Sequence, residues 1–109
     1  MSMDAIWGAL ADGHRRTMLA ALRDGAMTVN ELAALVPIAR PGVSRHLRVL
    51  RESGLVESEQ HAQRRLYRLR TEPLTEIDQW LRPYRDQWDE RLDALGTEVA
   101  RGRRERKAR

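Results

Sequence analysis

Cysteine and phenylalanine are both absent from the 109 residues, lysine occurs once, at Lys107, and no apolar run is long enough to span a membrane. Without cysteine there is no thiol nucleophile, no cysteine-based redox sensor and no thiolate metal site. Internal repeats, a Gly-rich phosphate loop, a nucleophile elbow and a metal-binding helix pair are missing too, and with them the common enzyme signatures. Carboxylates are plentiful in residues 72–98, but they fall on the polar face of a helix, where solvation accounts for them. No secretory apolar segment opens the sequence, so a cytoplasmic location is expected. What remains is one small domain. At this length folding buries only about 60 to 65% of the extended chain's surface, so a second subunit is expected to share in the stability.

Charge is abundant and unevenly placed. The net charge is +4, yet residues 1–39 are net −1, residues 40–70 net +5, residues 71–100 net −5 and residues 101–109 net +5. The middle basic block holds eight arginines (Arg40, Arg45, Arg48, Arg51, Arg64, Arg65, Arg68, Arg70) against three glutamates. Such a block points to a polyanion-facing surface, and the last nine residues read as a basic, disordered tail able to add nonspecific phosphate attraction. Residues 1–100 are expected to form the folded domain.

Apolar spacing sets out the elements. Asp4 to Ala11 reads as a helix too short to stand alone, with Ile6, Trp7 and Leu10 as its stripe. Asp12 can cap a second helix over Gly13 to Arg23, packed through Met18, Leu19 and Leu22 and stopped by Gly25. Thr28 and Glu31 stand at capping-box spacing before a third short helix, which Pro37 ends. A fourth helix runs to about Arg51, with Ser53 and Gly54 as its stop. At 100° per residue its Val43, Leu47 and Leu50 share one face, while Pro41, Arg45 and Arg48 face the other way with Ser44 at the edge. Two short helices joined by a tight turn, the second cationic on its outer face, form the layout that reads a DNA major groove.

Leu55 to Ser58 and Arg65 to Leu69 then read as a β-hairpin, or wing, separated by a polar stretch. Beyond Leu74 the apolar residues Ile77, Trp80, Tyr84, Trp88 and Leu92 continue at helical spacing to about Ala100. Pro83 lies inside this long helix, where a kink or break near Leu81 to Arg82 is expected. The fold class is therefore mainly α with a small β-hairpin, a winged helix-turn-helix. The first and last helices present apolar stripes with no partner in the compact unit, so a homodimer through Ile6, Trp7, Leu10, Ile77, Trp80, Tyr84, Trp88 and Leu92 is expected.

The order of elements and the string VSRHLRVLRESGLVESEQHAQRRLYRL, from Val43 to Leu69, resemble the ArsR-type winged-helix repressors of bacteria. The resemblance covers residues 4–95 and rests on Ser44, His46, Leu47, Leu50, Gly54, Leu55 and Val56 at these spacings. It implies a homodimer on an inverted-repeat operator, repressing its own operon until an effector releases it. Two departures stand out. Ala39 occupies the place of a capping serine, and Ala62 and Gln63 stand where a wing tip carries glycine and arginine, so a longer or looser tip is expected.

Many such repressors sense metals, and the ligand positions can be checked. Ala33 and Ala34 stand where soft-ion sensors carry cysteine. A last-helix D-x-H-x10-E-x-x-H set begun at Asp78 meets Trp80, Arg91 and Ala94 at its other three places. A metal-responsive repressor is thus disfavoured, and neither metal nor cofactor is expected. Double-stranded DNA is the expected partner, contacted by Thr28, Arg40, Pro41, Ser44, Arg45, His46, Arg48, Arg64 and Arg65. Arg45 is the residue placed to bridge guanine O6 and N7. His46 is open to two roles, a structural hydrogen bond or a backbone contact. A winged helix that uses its acidic helix to bind a protein is the competing reading.

Overall fold

The computed structural model describes residues 2–108, with side chains described for residues 2–102. The elements follow in the order α1 (Met3–Leu10), α2 (Gly13–Leu22), β1 (Met27–Thr28), α3 (Val29–Ala33), α4 (Arg40–Glu52), β2 (Val56–His61), β3 (Arg64–Leu69) and α5 (Glu72–Ala108). The expected winged helix-turn-helix is present. Contacts divide the chain into two units, Met1–Ile77 and Asp78–Arg109.

One core organises the compact unit. Met18, Leu19 and Leu22 of α2, Leu32 of α3 and Val43, Leu47 and Leu50 of α4 close on Leu55, Val56 and Tyr67 from the wing. Ile6 and Ala9 of α1 complete it, and Ile6 is fully buried. That corrects the expectation that Ile6 lies at a subunit interface. An eight-residue helix cannot hold itself together in water, and the nearest apolar surface is its own domain's core. Trp7, about 100° away round the helix, is left facing outward.

Local sequence explains where the elements stop. Gly54 adopts φ 82, the left-handed conformation that ends α4. Its N–H donates to Arg51 O at 3.0 Å and Leu55 N–H donates to Leu50 O at 3.1 Å, the paired bonds of a Schellman motif. Leu50 and Leu55, both fully buried, make the apolar contact that accompanies it. At the other end, Ala39 makes no side-chain cap bond, as expected of alanine, and Pro41 sits in the first turn.

The sheet is larger than a hairpin. Its order is β1-β3-β2, all antiparallel, because Met27 and Thr28 pair with Tyr67 and Leu66. The wing strands are also longer than expected, pairing from Val56↔Leu69 to His61↔Arg64. Only Ala62 and Gln63 remain between them, so the expected loose tip is corrected to a two-residue turn. Ala62 makes it possible by taking φ 56. Gln60 Nε2 donates to Ala62 O at 3.0 Å across the turn.

Helix α5 runs unbroken past Pro83, so of the kink or break expected near Leu81 to Arg82 the break does not occur. A proline removes one N–H donor, and the flanking bonds of so long a helix carry the loss. The helix also continues to Ala108, through most of the stretch expected to be a disordered tail. Arginine, glutamate, lysine and alanine are all good helix formers. The side chains of residues 103–109 lie outside the described residues. Between Trp80 and Val99 this segment leaves Trp80, Tyr84, Trp88, Leu92, Leu95 and Val99 exposed, with Trp88 at 58%.

Strain at the wing tip has a measurable consequence. An alanine in the left-handed region costs about 1 kcal/mol that glycine avoids. Ala62→Gly is expected to stabilise the protein by up to about 1 kcal/mol in urea unfolding, with an unchanged m-value.

Candidate nucleic-acid interface

Helix α4 is fixed from behind and bare in front. Val43, Leu47 and Leu50 are buried, whereas Pro41, Ser44, Arg45 and Arg48 are exposed, as the 3.6-residue period requires. Among the described residues, the side chains of Arg45 and Arg48 make no hydrogen bond or ion pair. By contrast, Arg68 lies 4.0 Å from Glu59, and Arg70 lies 4.0 Å from Glu57 and 3.5 Å from Glu72. The basic block therefore splits. Its wing-base arginines are offset by neighbouring acids, and those on α4 keep their full charge for an outside anion.

The wing tip comes round to the start of α4. Thr28, Val29, Asn30, Glu31, Arg40, Gln63, Arg64 and Arg65 line an open cleft of about 440 Å³. Arg40 and Arg64, far apart in sequence, thus share one concave surface. Arg65 instead turns along the sheet, its Nη1 donating to Ser58 Oγ at 2.9 Å. Of the two wing arginines, Arg64 is the one whose side chain makes no hydrogen bond among the described residues.

Two of the expected contact residues are occupied elsewhere. Thr28 is buried, and its hydroxyl accepts the Glu31 N–H at 3.2 Å while donating to Glu31 Oε1 at 3.0 Å. Its N–H donates to the same carboxylate oxygen at 3.0 Å. The capping box consumes both donors, leaving Thr28 nothing to offer a phosphate. His46, with 16% of its side chain exposed, turns inward. Its Nδ1 stands 3.0 Å from Arg15 Nη1 and its Nε2 stands 3.9 Å from Asp12 Oδ1. A guanidinium only donates, so Nδ1 accepts, and the ring proton sits on Nε2 facing Asp12. Of the two roles open to His46, the structural one is observed.

Arg15 is the residue sequence reasoning missed. Its Nε donates to Ala9 O at 2.7 Å and its Nη2 to Gly8 O at 3.0 Å, while Arg16 Nη1 reaches Leu10 O at 2.7 Å. Two arginines of α2 thus satisfy the carbonyls that end α1, and Arg15 continues to the recognition helix. No short-range pattern announces a partner 31 residues away.

A helix-turn-helix domain model matches residues 10–59. The chain is 46% identical over 68 residues to the HTH-type transcriptional regulator Rv2034 of Mycobacterium tuberculosis. That match spans 62% of this chain and 64% of the relative, less than two thirds of its length. The crystal structure of an ArsR family transcriptional regulator superposes with a TM-score of 0.71 at 32% identity, covering 79% of this chain and 89% of that one. The protein belongs to the ArsR family of transcriptional regulators. The homodimeric winged helix-turn-helix DNA-binding domain of a Mycobacterium bovis protein aligns with a TM-score of 0.61 at 26% identity, over 81% of this chain and 82% of that domain.

The relatives of this ArsR-family chain are regulators and not enzymes. Among its described residues, no group of three or more His, Asp or Glu is placed to hold a metal ion. His14 and His46, which the sequence put on separate elements, do come within 6.0 Å between ring centres. Among its described residues, no helix is long and apolar enough to cross a membrane.

The two capping carboxylates make stability depend on acid. The Arg15 N–H holds Asp12 below its ordinary value of 3.8 against the opposing effect of burial, with the Arg15 guanidinium and the His14 N–H adding to it. The N–H and hydroxyl of Thr28 hold Glu31 below its ordinary 4.5. Both are depressed in the fold, so in acid the unfolded chain binds protons first. Their contribution is complete above these ordinary values and disappears as pH falls through the lower folded ones. Asp12→Asn and Glu31→Gln are expected to weaken the fold at neutral pH, with the difference from wild type closing below about pH 4 in urea titrations. Arg15→Ala is expected to cost roughly 2 to 4 kcal/mol, with little recovery in Arg15→Lys, because an ammonium cannot span three acceptors in a plane.

Proposed function

We propose that the protein is a sequence-specific, DNA-binding transcriptional regulator, acting in the cytoplasm as a homodimeric repressor on an inverted-repeat operator of its own operon. One observation carries this reading: α4 shows the solvent an outer face of Ser44, Arg45 and Arg48 whose guanidinium groups have no partner among the described residues. Arg45 points directly away from the packed residues, so it reaches furthest into a major groove and can bridge guanine O6 and N7. Ser44 reaches a base edge or phosphate. Pro41 starts the helix, Arg48 and Arg40 take phosphates, and Arg64 enters from the wing. Release by an effector is part of the family pattern. The absence of cysteine, and the residues at the last-helix ligand places, favour a signal other than a metal.

The dimer is supported by the exposed apolar stripe of α5. Trp80, Tyr84, Trp88 and Leu92 are all exposed at helical spacing, and a run of large apolar side chains left in water is the mark of an interaction surface. Trp7 on α1 is exposed as well, and Leu10 and Ile77 are half-buried. Paired subunits place two α4 helices on half-sites about one DNA turn apart, the arrangement an inverted repeat needs.

Binding to fragments from upstream of the protein's own gene tests this. Arg45→Ala is expected to weaken operator binding by roughly 1 to 3 kcal/mol and to relax specificity at one position. No binding at moderate salt, or binding indifferent to Arg45→Ala, favours the protein-interaction module. Trp88→Ala is expected to give a chain that sediments as a monomer or fails to fold, and an intact, fully stable dimer contradicts the α5 interface.

A further inference from the structure

Resting on the DNA-binding reading above, we propose that Asn30 is a positioning residue that aims Arg40 at a backbone phosphate of the bound duplex. Arg40 is the first residue of α4 and Asn30 the second of α3, and Arg40 Nη2 donates to Asn30 Oδ1 at 2.6 Å. The bond spans ten residues and ties the two helices together across their turn. It stands where a capping hydroxyl is missing, since Ala39 makes no side-chain bond to α4.

A guanidinium has no acceptor, so the oxygen of Asn30 must face Arg40 and its amide N–H groups must face away. One edge of the Arg40 fork is used by Asn30. The other donors are left for a phosphate, which a planar fork binds through two parallel bonds. Both residues line the cleft of about 440 Å³, with Arg64 beside them. Glu31 shares that cleft, but its carboxylate already accepts the N–H and hydroxyl of Thr28, and the charge of Arg64 acts on it. An arriving phosphate therefore meets oriented donors, and the one nearby acid is already hydrogen-bonded. Held in place, Arg40 loses less side-chain freedom on binding than a free surface arginine does.

The test is operator affinity across a range of salt, using a duplex recovered by selection from genomic fragments. Arg40→Ala is expected to weaken binding about tenfold and to reduce the salt slope by about one. Asn30→Ala is expected to weaken binding several-fold with the slope unchanged, because the charge remains. Asn30→Asp keeps the acceptor but neutralises the guanidinium, so affinity and slope should both fall. Asn30→Ala combined with Arg40→Ala should bind no worse than Arg40→Ala alone, since Asn30 acts through Arg40. Melting temperatures report folding, and if Asn30→Ala lowers its own, Asn30→Asp carries the slope test. Full additivity of the two alanine changes, or wild-type binding by Asn30→Ala, overturns the inference. If Arg45→Ala abolishes binding while Arg40→Ala changes neither affinity nor slope, this inference fails and the DNA-binding reading stands. If the wild-type protein binds no fragment, the DNA-binding reading itself fails.

Discussion

The guanidinium of Arg15 reaches the C-terminal end of α1 and the inner face of α4 at once, and the rest of the compact unit is arranged around that reach. Its three donated bonds run to Ala9 O, Gly8 O and His46 Nδ1, at 2.7, 3.0 and 3.0 Å. Helix α1 is too short to persist without help, and α4 carries a row of like charges on its outer side that favours neither burial nor order. A planar cation that satisfies the carbonyls of one and the ring of the other holds both in place. Asp12 closes the group from the start of α2, where it caps the helix and faces the Nε2 side of His46.

Helix α4 is held from its inner side by Leu47, Leu50 and His46, and its outer side chains Ser44, Arg45 and Arg48 stay exposed. Ser44, Arg45 and Arg48 are therefore free to be chosen for what they meet outside. The wing follows the same division of labour. Arg68 and Arg70 sit beside glutamates near the sheet's base, Arg65 braces against Ser58, and Arg64 joins Arg40 at the cleft. The modest net charge of the chain thus hides two adjoining elements, α4 and the wing tip, that present exposed arginines to the solvent.

Most of this could be read from the chain because it rests on local rules. The faces of α4 follow from the 3.6-residue period, the start of α3 from Thr28 and Glu31, and the end of α4 from Gly54. The features that escaped depend on partners distant in sequence or on strain. Two residues, Met27 and Thr28, carry no strand signal of their own and become β1 only because the exposed edge of β3 lies beside them. Ile6 looks the same from sequence whether its apolar partner is the same chain or another. Alanine at position 62 disfavours a tight turn, yet ladder pairing along the whole hairpin outweighs about 1 kcal/mol of backbone strain. His46 lay between two roles on the helical wheel, and Arg15, which decides between them, comes from another helix.

The central claim is that Arg45 reads a guanine from the major groove while α4 is held from behind. A methylation-interference map of a selected operator, made with wild-type protein and with Arg45→Ala, measures this directly. With wild-type protein, methylation of one guanine N7 in each half-site should block binding. With Arg45→Ala that guanine should fall silent while the remaining pattern persists. Identical maps for the two proteins, or interference confined to adenine N3 in the minor groove, would contradict the assignment.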